Sequence, residues 1–288
     1  MQPISNLRHV LFPVDFSGQT NMAAPYVSAL AQRFDAKLTL LCVVPPIWAG
    51  RGPQPDYAGD LEISTKARLE GALVAETQGL QVERVVRSGE AAEQIISFAR
   101  ENAVDLIMMP THGHGALLGA LTGSIAAKVL HDAPCPVWTA AHAAEANPRK
   151  IPEKIICCVE GIRESVGQIR WAVQFAELFG AALELLHVTP PISDLGAIRA
   201  EGELQEQQRK AAEAHIAALR AEAVPSAAAD IPLTVLVGSI ADTIAERASE
   251  EDADLLVIGH GRTGRTLGRL RTEAYSIIGQ AACPVLCV

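Results

Sequence analysis

Short apolar runs alternate with longer amphipathic runs along most of the chain. Residues 10–15 form an apolar run that ends in an acid, and apolar residues recur at helical spacing from Ser17 to Phe34. The same alternation predicts further strands at 37–44, 81–86, 105–109 and 137–139, and further helices at 61–78, 91–102 and from about 124 to 131. Strands that alternate with helices predict a parallel, doubly wound sheet of five strands.

One segment of the first half lacks this alternation. Residues 45–60 contain four prolines and three glycines, which predicts a long loop after the second strand. Two interpretations are open: a mobile surface loop, and a lid with Trp48 and Tyr57 that folds over the edge of the sheet.

The second half of the chain repeats the first. Lys154–Glu160 matches the first strand, Gly238 follows Gly89 by 149 positions, and Asp254 follows Asp105 by the same 149 positions. So constant an offset predicts a duplicated domain. We therefore expect one domain at 1–141 and another at 153–288, joined by a linker at 142–152.

Composition narrows the class of protein. Hydrophobic residues make up 49% of the 288 residues, which is enough for a large core, whereas aromatic residues make up only 4%. The net charge is −9 and no long basic run occurs, which argues against a nucleic-acid partner. No apolar run reaches the roughly 18 residues of a membrane span and the start lacks a signal-peptide pattern, so we expect a cytoplasmic protein with no membrane partner.

Residues that could carry catalysis or bind a metal are few. The six cysteines lie in apolar, strand-like runs without CxxC spacing, so we expect buried free thiols. His112 and His114 have no carboxylate close in sequence, which favours structural hydrogen bonds over metal ligation. No Ser-His-Asp or Cys-His arrangement has the spacing of a nucleophilic site, and no lysine follows the glycines as in a P-loop. We therefore expect no enzyme activity beyond slow ATP hydrolysis.

A glycine-rich stretch, Pro110–Ser124, links the fourth predicted strand to the following helix. A strand, a glycine-rich turn and a helix start gather backbone N–H groups that can hold an anion. Gly113 can adopt a positive φ, and Gly123-Ser124 offers a bare backbone and a hydroxyl at the helix start. Asp15 ends the first strand at the same sheet edge, where ligands bind in open α/β folds. A second interpretation of Asp15 is a cap on the helix that follows it.

These segments together resemble the universal stress protein family in its tandem, two-domain form. The residues that carry the resemblance are Phe12–Ser17, Leu41–Val44, Asp105–Gly113, Gly123-Ser124 and Ala133–Val137 in the first half, and Asp254–Gly261 and Ala282–Val285 in the second. The resemblance implies two α/β domains of adenine-nucleotide-binding type that pair through their last strands. One subclass of the family binds ATP through the pattern Gly-x2-Gly-x9-Gly-Ser/Thr, and another lacks the pattern and binds none.

The first half nearly fits the ATP pattern. Gly113, nine further residues and Gly123-Ser124 match it, but Pro110 replaces the first glycine and has no N–H to donate. The resemblance places Asp15 near the ribose or a bound Mg²⁺ and Val43 beside the adenine. The site that it implies for ATP consists of Pro13, Val14, Asp15, Val43, Met109, Pro110, His112, Gly113, His114, Gly123, Ser124 and Ile125.

The second half departs further from the pattern. Its turn, Gly259–Gly261, is one residue shorter, Arg271-Thr272 replaces Gly123-Ser124, and Glu160 replaces Asp15. Further arginines of this loop are Arg262, Arg265 and Arg269. Two interpretations are open: an anion site built from guanidinium groups, and a closed site in which Glu160 pairs with one of the arginines. We favour the closed site.

The pattern as a whole predicts a tandem universal stress protein that binds ATP in its N-terminal domain and acts in a stress response by binding rather than turnover. An alternative is a nucleotide-free interaction protein, which Pro110 and the altered second half favour. The expected assembly is an intramolecular pair of domains, and a homodimer of the chain is compatible with either function.

Overall fold

The computed structural model describes residues 7–46, 55–110, 124–140, 151–192, 198–226, 230–259 and 269–288. Its description excludes the side chains of residues 55–58, 140, 198–201 and 269–272. These residues form two compact units, one within Asn6–Ala140 and one within Ala141–Val288. The domain boundaries predicted at 141 and 153 and the linker between them stay predictions.

The first unit alternates strands with helices. Its elements are β1 (His9–Pro13), α1 (Gly18–Phe34), β2 (Lys37–Val44), α2 (Pro55–Glu70), β3 (Val82–Ser88), α3 (Ala91–Glu101), β4 (Leu106–Pro110), α4 (Ser124–Asp132) and β5 (Val137–Ala140). The strand order is β3-β2-β1-β4-β5, and every strand pair within the unit is parallel. The predicted five-stranded, doubly wound sheet is therefore confirmed for this unit.

The second unit repeats this architecture. Its elements are β6 (Lys154–Cys158), α5 (Ser165–Phe179), β7 (Ala182–Thr189), α6 (Ile198–Ala223), β8 (Leu233–Val237), α7 (Ile240–Glu250), β9 (Leu255–Ile258), α8 (Arg269–Gln280) and β10 (Val285–Cys287). The order β10-β9-β6-β7-β8 is that of the first unit, again with parallel pairs. His9 lies opposite Lys37 in the first unit and Lys154 opposite Ala182 in the second, so the two registers correspond at a constant offset of 145.

Apolar strands form the core of each unit. In β4 the four residues Leu106–Met109 are all buried, and in β9 all of Leu255–Ile258 are buried. Adjacent residues of a strand point to opposite faces, so strands buried throughout need a layer of helices on both faces of the sheet. The apolar runs of the sequence predict this arrangement.

The expected pairing of the two units through their last strands stays a prediction.

An aspartate ties two neighbouring strands together in each unit. Asp105 Oδ2 accepts hydrogen bonds from the backbone N–H groups of Arg8 and His9, at 2.8 and 3.0 Å. Asp254 Oδ2 does the same for Glu153 and Lys154, at 2.9 and 3.0 Å. The repeated aspartates of the sequence motif therefore have a structural role, because they satisfy backbone donors at the start of β1 and β6.

The region after β2 differs from its prediction. Helix α2 begins at Pro55, within the predicted loop, and ends at Glu70, after which residues 71–79 form turns instead of the predicted helix to 78. Proline is favoured at the first position of a helix, since its missing N–H has no intrahelical partner there. Leu73 and Gly79 have φ values of 56° and 82°, which a helix cannot accommodate. Trp48 and the side chain of Tyr57 lie outside the described residues, so the lid stays a prediction.

Candidate functional site

The topology brings three strand ends together in the first unit. β1 pairs with β2 on one side and with β4 on the other. The strands are all parallel, but the order in which the chain adds them to the sheet reverses between β1 and β4. Ligands of open α/β sheets bind outside the carboxyl ends of the strands at such a reversal. The predicted site residues at these strand ends are Pro13, Val14, Asp15, Val43, Met109 and Pro110.

Asp15 is exposed at this edge and also organises the start of α1. Its Oδ1 accepts hydrogen bonds from the Ser17 N–H at 2.9 Å and from the Thr20 hydroxyl at 2.6 Å. Ser17 is the N-cap residue, and its hydroxyl accepts a hydrogen bond from the Thr20 N–H at 3.2 Å. Ser17, and not Asp15, is therefore the residue that caps α1; Asp15 supports this cap through the Ser17 N–H and the Thr20 hydroxyl, and its carboxylate remains at the surface.

The helix that follows the glycine-rich stretch starts with an exposed turn. Ser124 and Ile125 are the first residues of α4, and both are exposed. The first N–H groups of a helix have no intrahelical partner and favour negative charge. Pro110 still belongs to β4, where it lies opposite Ala140. His112, Gly113, His114 and Gly123 lie outside the described residues.

An arginine and a thiol adjoin Asp15. The Arg68 guanidinium of α2 lies 4.1 Å from the centre of the Phe16 ring, and Phe16 has a φ of 59°. Burial raises the pKa of the Cys42 thiol, the charge of Asp15 adds to this effect, and the charge of Arg68 opposes it. The edge therefore presents the exposed Asp15 carboxylate and, against the ring of the next residue, the Arg68 guanidinium.

The cysteines are free thiols, as predicted. Five of them are buried and Cys135 is half-buried. Burial raises the pKa of Cys135, Cys157, Cys283 and Cys287 to about 12, and it also raises the pKa of Cys158 well above its ordinary value. A thiol with a raised pKa holds little reactive thiolate at neutral pH, so none of these five is placed for nucleophilic chemistry.

The described residues contain no group of three side chains suited to a metal ion. The imidazole of His131 contacts its neighbour Asp132, and His112 and His114 lie outside the described residues.

The second unit holds a cavity at the corresponding edge of its sheet. Its volume is about 590 Å³, within the range of small-molecule pockets. The cavity is lined by the carboxyl ends of β6, β7 and β9, by helices α6, α7 and α8, and by Ile162. This is the reversal point of the second sheet, because β6 pairs with both β7 and β9.

Apolar side chains make up most of the described lining, with polar groups at the strand ends. The apolar members on the helices are Ala211, Ala212, Ile240, Ile244, Ala274 and Ile277. The strands contribute Glu160, His187 and Thr189, and the helices contribute Gln208, His215 and Glu273. The described residues surround a space at this edge, but residues 260–268 lie outside the described part of the chain, so the closed site that we favoured stays a prediction. Arg262 and Arg265 and the side chains of Arg269 and Arg271 lie outside the description, so the expected ion pair between Glu160 and one of these arginines stays a prediction.

Glu160 stands where Asp15 stands in the first unit, and its surroundings differ. Burial, followed by the negative charge of Glu164, raises the pKa of the half-buried Glu160 carboxyl. No hydrogen bond or ion pair joins this carboxyl to another residue in the described part of the chain. Sequence analysis did not single out His187 and His215. The one signal for His187 was a histidine within β7 at the position that corresponds to Cys42 in β2.

None of the helices in the described part of the chain is long and apolar enough to span a membrane.

Comparisons with known proteins agree with this architecture. A model of the Universal stress protein family matches residues 6–140 and again residues 152–288. A universal stress protein of Mycolicibacterium smegmatis is 26% identical over 291 residues, covering 97% of this chain and 96% of its own. The crystal structure of a universal stress protein from Archaeoglobus fulgidus has a TM-score of 0.68 at 17% identity and covers 98% of this chain and 96% of its own.

A further universal stress protein, solved in complex with cAMP, covers 48% of this chain and 97% of its own, with 24% identity and a TM-score of 0.38. The family model matches nearly the whole chain in two consecutive copies, and each copy coincides with one five-stranded unit. The chain therefore belongs to the universal stress protein family, in the tandem form with two domains.

Proposed function

We propose that the N-terminal unit binds ATP with Mg²⁺ and that this binding, rather than turnover, serves a regulatory role in a stress response. The observation that carries the proposal is the exposed start of α4, beside the strand ends at which the first sheet reverses. An exposed helix start at this place favours a phosphate group. Family membership supports an adenine nucleotide as the ligand.

In this proposal three of the described site residues have a defined task. The Ser124 hydroxyl and the first N–H groups of α4 hold phosphate oxygens, together with the backbone of Gly113, His114 and Gly123. Val43, at the end of β2, lines the adenine. The exposed Asp15 carboxylate approaches the ribose or the Mg²⁺ ion, while its hydrogen bonds to Ser17 and Thr20 fix its direction.

Two features favour the alternative, a nucleotide-free interaction protein. Pro110 ends β4 without an N–H to donate, so the cradle has one donor fewer than the family pattern provides. Asp15 Oδ1 already accepts two hydrogen bonds within the protein. The described residues form no catalytic constellation, and we expect any ATP hydrolysis to stay below the roughly one turnover per second of slow enzymes.

Native mass spectrometry of the full-length chain tests the proposal. We expect a bound species heavier by the mass of ATP, and calorimetric titration with Mg-ATP should show one site per chain. Ser124→Glu places a negative charge where the phosphates would lie and should weaken ATP binding at least about tenfold. Ala214→Glu adds the same charge on the exposed surface of α6 in the other unit and is the matched control.

The outcome that contradicts ATP binding is a chain without copurified nucleotide that gives no heat with millimolar Mg-ATP. That result would favour the nucleotide-free alternative. Equal ATP binding by Ser124→Glu and the control would place the nucleotide elsewhere.

A further inference from the structure

Polar groups line part of the cavity of the second unit, and their hydrogen bonds within the protein show which of their atoms can still accept or donate. We call this space, at the carboxyl ends of β6, β7 and β9, the C-terminal cavity. Its described lining includes two carboxyl groups, Glu160 and Glu273, and neither lysine nor arginine. Glu164, four positions after Glu160, carries a third carboxyl, and its negative charge raises the pKa of Glu160.

Both histidines of the lining are held by backbone carbonyl groups. His187 Nδ1 lies 2.7 Å from the Val159 carbonyl oxygen, and His215 Nε2 lies 2.8 Å from the Gly161 carbonyl oxygen. A carbonyl oxygen only accepts, so the proton of each ring is on the nitrogen that contacts it. The other nitrogen of each neutral ring, Nε2 of His187 and Nδ1 of His215, is therefore an acceptor.

Thr189 adds another acceptor. Its hydroxyl donates to the Leu236 carbonyl oxygen at 3.3 Å, which leaves the lone pairs of the oxygen for other partners. The Gln208 amide is the exception, since its oxygen accepts from Gln205 and its NH2 group is a donor. The polar side chains of the lining are thus mainly acceptors, with a half-buried carboxyl group among them.

An apolar cavity rich in acceptors and carboxyl groups selects a ligand that brings donors and positive charge. A phosphate or carboxylate group would face the charges of Glu160 and Glu273 at short range. An ammonium group would instead neutralise a half-buried carboxylate and donate up to three hydrogen bonds to the surrounding acceptors. The apolar helix residues would contact the hydrocarbon part of such a ligand.

We propose that the C-terminal cavity binds a compact apolar molecule bearing a protonated amine, with the Glu160 carboxylate as its counter-ion. The proposal concerns the second unit and does not depend on ATP binding in the first. The ligand is a hydrophobic organic cation, a class distinct from nucleotides and other anions.

Three probes of one shape test this charge selection. 1-Adamantanamine is a cation at neutral pH, 1-adamantanol is its neutral counterpart, and 1-adamantanecarboxylate is its anion. Binding is followed in the full-length chain through the methyl NMR signals of Ile162, Ile244 and Ile277, which line the cavity. The methyl signals of Ile95 and Ile96, which are buried in the first unit, serve as the internal control.

We expect the amine to shift the cavity signals at the lowest concentration, with the alcohol at least about tenfold weaker and the carboxylate weakest. Glu160→Gln should weaken amine binding at least about tenfold and change alcohol binding less than threefold. Glu164→Gln removes the neighbouring exposed carboxyl, which does not line the cavity, and should leave amine binding within about threefold of the wild type. Ala212→Phe, which fills the cavity from α6, should weaken all three probes.

Several outcomes would overturn the proposal. Tightest binding by the carboxylate, or shifts of the cavity signals by ATP at the concentrations effective for the amine, would indicate an anion site built with the loop arginines. Equal binding of the three probes would indicate an apolar cavity without charge selection. An absence of shifts with every probe would show that the cavity does not bind this class of ligand.

Discussion

The carboxyl edges of the two units derive from one pattern but use their acidic residue differently. Asp15 follows β1 and accepts two hydrogen bonds from the start of α1, whereas Glu160 follows β6 and lines a cavity. In the described structure the Glu160 carboxyl has no hydrogen-bond partner. The comparison teaches that a carboxylate at one topological position supports the N-cap of a helix in one copy and lines a cavity in the other.

The residues after the acid explain this difference. Ser17 and Thr20 supply an N–H, a capping hydroxyl and a donor hydroxyl in the first unit. At the offset of 145, Ile162 replaces Ser17 and Ser165 replaces Thr20. Isoleucine cannot cap, and α5 starts without a side-chain cap. The longer Glu160 therefore has no capping network to hold it.

The residue directly after the acid also differs. Phe16 adopts a φ of 59°, which is unfavourable for a residue with a side chain, and its ring lies beneath the Arg68 guanidinium. Gly161 has a φ of 79° at no such cost. An ideal Cβ on Gly161 would lie 3.2 Å from Ile216 Cδ1 and 3.5 Å from His187 Cε1. The first edge therefore has an aromatic ring and a cation at this position. In the second edge His187 and His215, whose Cδ2 would lie 3.7 Å from the same Cβ, approach the backbone instead.

The largest expected effect tests what the two units share. Asp254 is buried, and replacing it by alanine leaves the N–H groups of Glu153 and Lys154 without their acceptor. We expect Asp254→Ala to lower the free energy of unfolding by about 3 kcal/mol, because two part-buried N–H groups each lose a hydrogen bond to a charged acceptor, which is worth roughly 1.5–3 kcal/mol. Urea unfolding followed by circular dichroism measures the change.

Asp105→Ala is the matched variant in the first unit and should cost less, since Asp105 is half-buried and water can reach the freed N–H groups. Equal, small losses in both variants would mean that these aspartates do not hold the strands.

The second effect separates the starts of the two corresponding helices, α1 and α5. Thr20→Val removes the hydroxyl that donates to Asp15 while keeping the side-chain shape, and should cost about 1 kcal/mol of unfolding free energy. Ser165 Oγ is buried and has no hydrogen-bond partner in the described structure. Ser165→Ala should therefore be neutral or stabilising. Thermal unfolding of both variants checks the contrast, and a larger loss for Ser165→Ala would reverse our interpretation.

The third effect is a dependence on pH. Because the pKa of Glu160 is raised on folding, the folded chain keeps this proton at pH values where the unfolded chain has released it. The free energy of unfolding should therefore decrease as the pH rises from about 4.5 through the folded-state pKa. Glu160→Gln should lack this decrease and be the more stable protein at pH 7.

Chemical denaturation at pH 4 and pH 7 measures the difference between the wild type and the variant. Glu164→Gln removes the like charge and should shrink the difference without abolishing it, because burial is the larger cause. A pH-independent difference between wild type and Glu160→Gln would contradict the raised pKa.

The smallest expected effect concerns Arg68. Its contact with the Phe16 ring is solvent-exposed, and such cation–π pairs contribute about 0.5 kcal/mol. Arg68→Met keeps the aliphatic contact with the ring and should lower the unfolding free energy by no more than that amount. The same variant removes the charge that opposes the raised pKa of Cys42, so alkylation of Cys42 should become slower. Faster alkylation would contradict the arrangement of these side chains.

The fold was predictable because its signals are local and repeated. The apolar runs and the helical spacing between them placed nearly every described element, and the constant offsets revealed the duplication. The errors fell at α2, where Pro55 starts the helix and Leu73 adopts a positive φ that residue type alone does not reveal. For the candidate ATP site, the sequence predicted that Asp15, Met109 and Pro110 lie at strand ends and that Ser124 lies at a helix start. The sheet order agrees, because β1 and β4 are neighbours.

The sequence by itself determined the family, the doubling of the domain and the sheet edge at which chemistry is possible, because apolar periodicity and motif spacing are read along the chain. Only the tertiary structure decided that the second edge holds a cavity, which acceptors line it, and which acid supports a helix cap. These properties depend on His187 and His215 meeting carbonyl groups 28 and 54 positions away, and spacing in the sequence does not encode such contacts. A hydrogen bond is decided by distances of a few tenths of an ångström between atoms, and packing of the whole unit sets those distances.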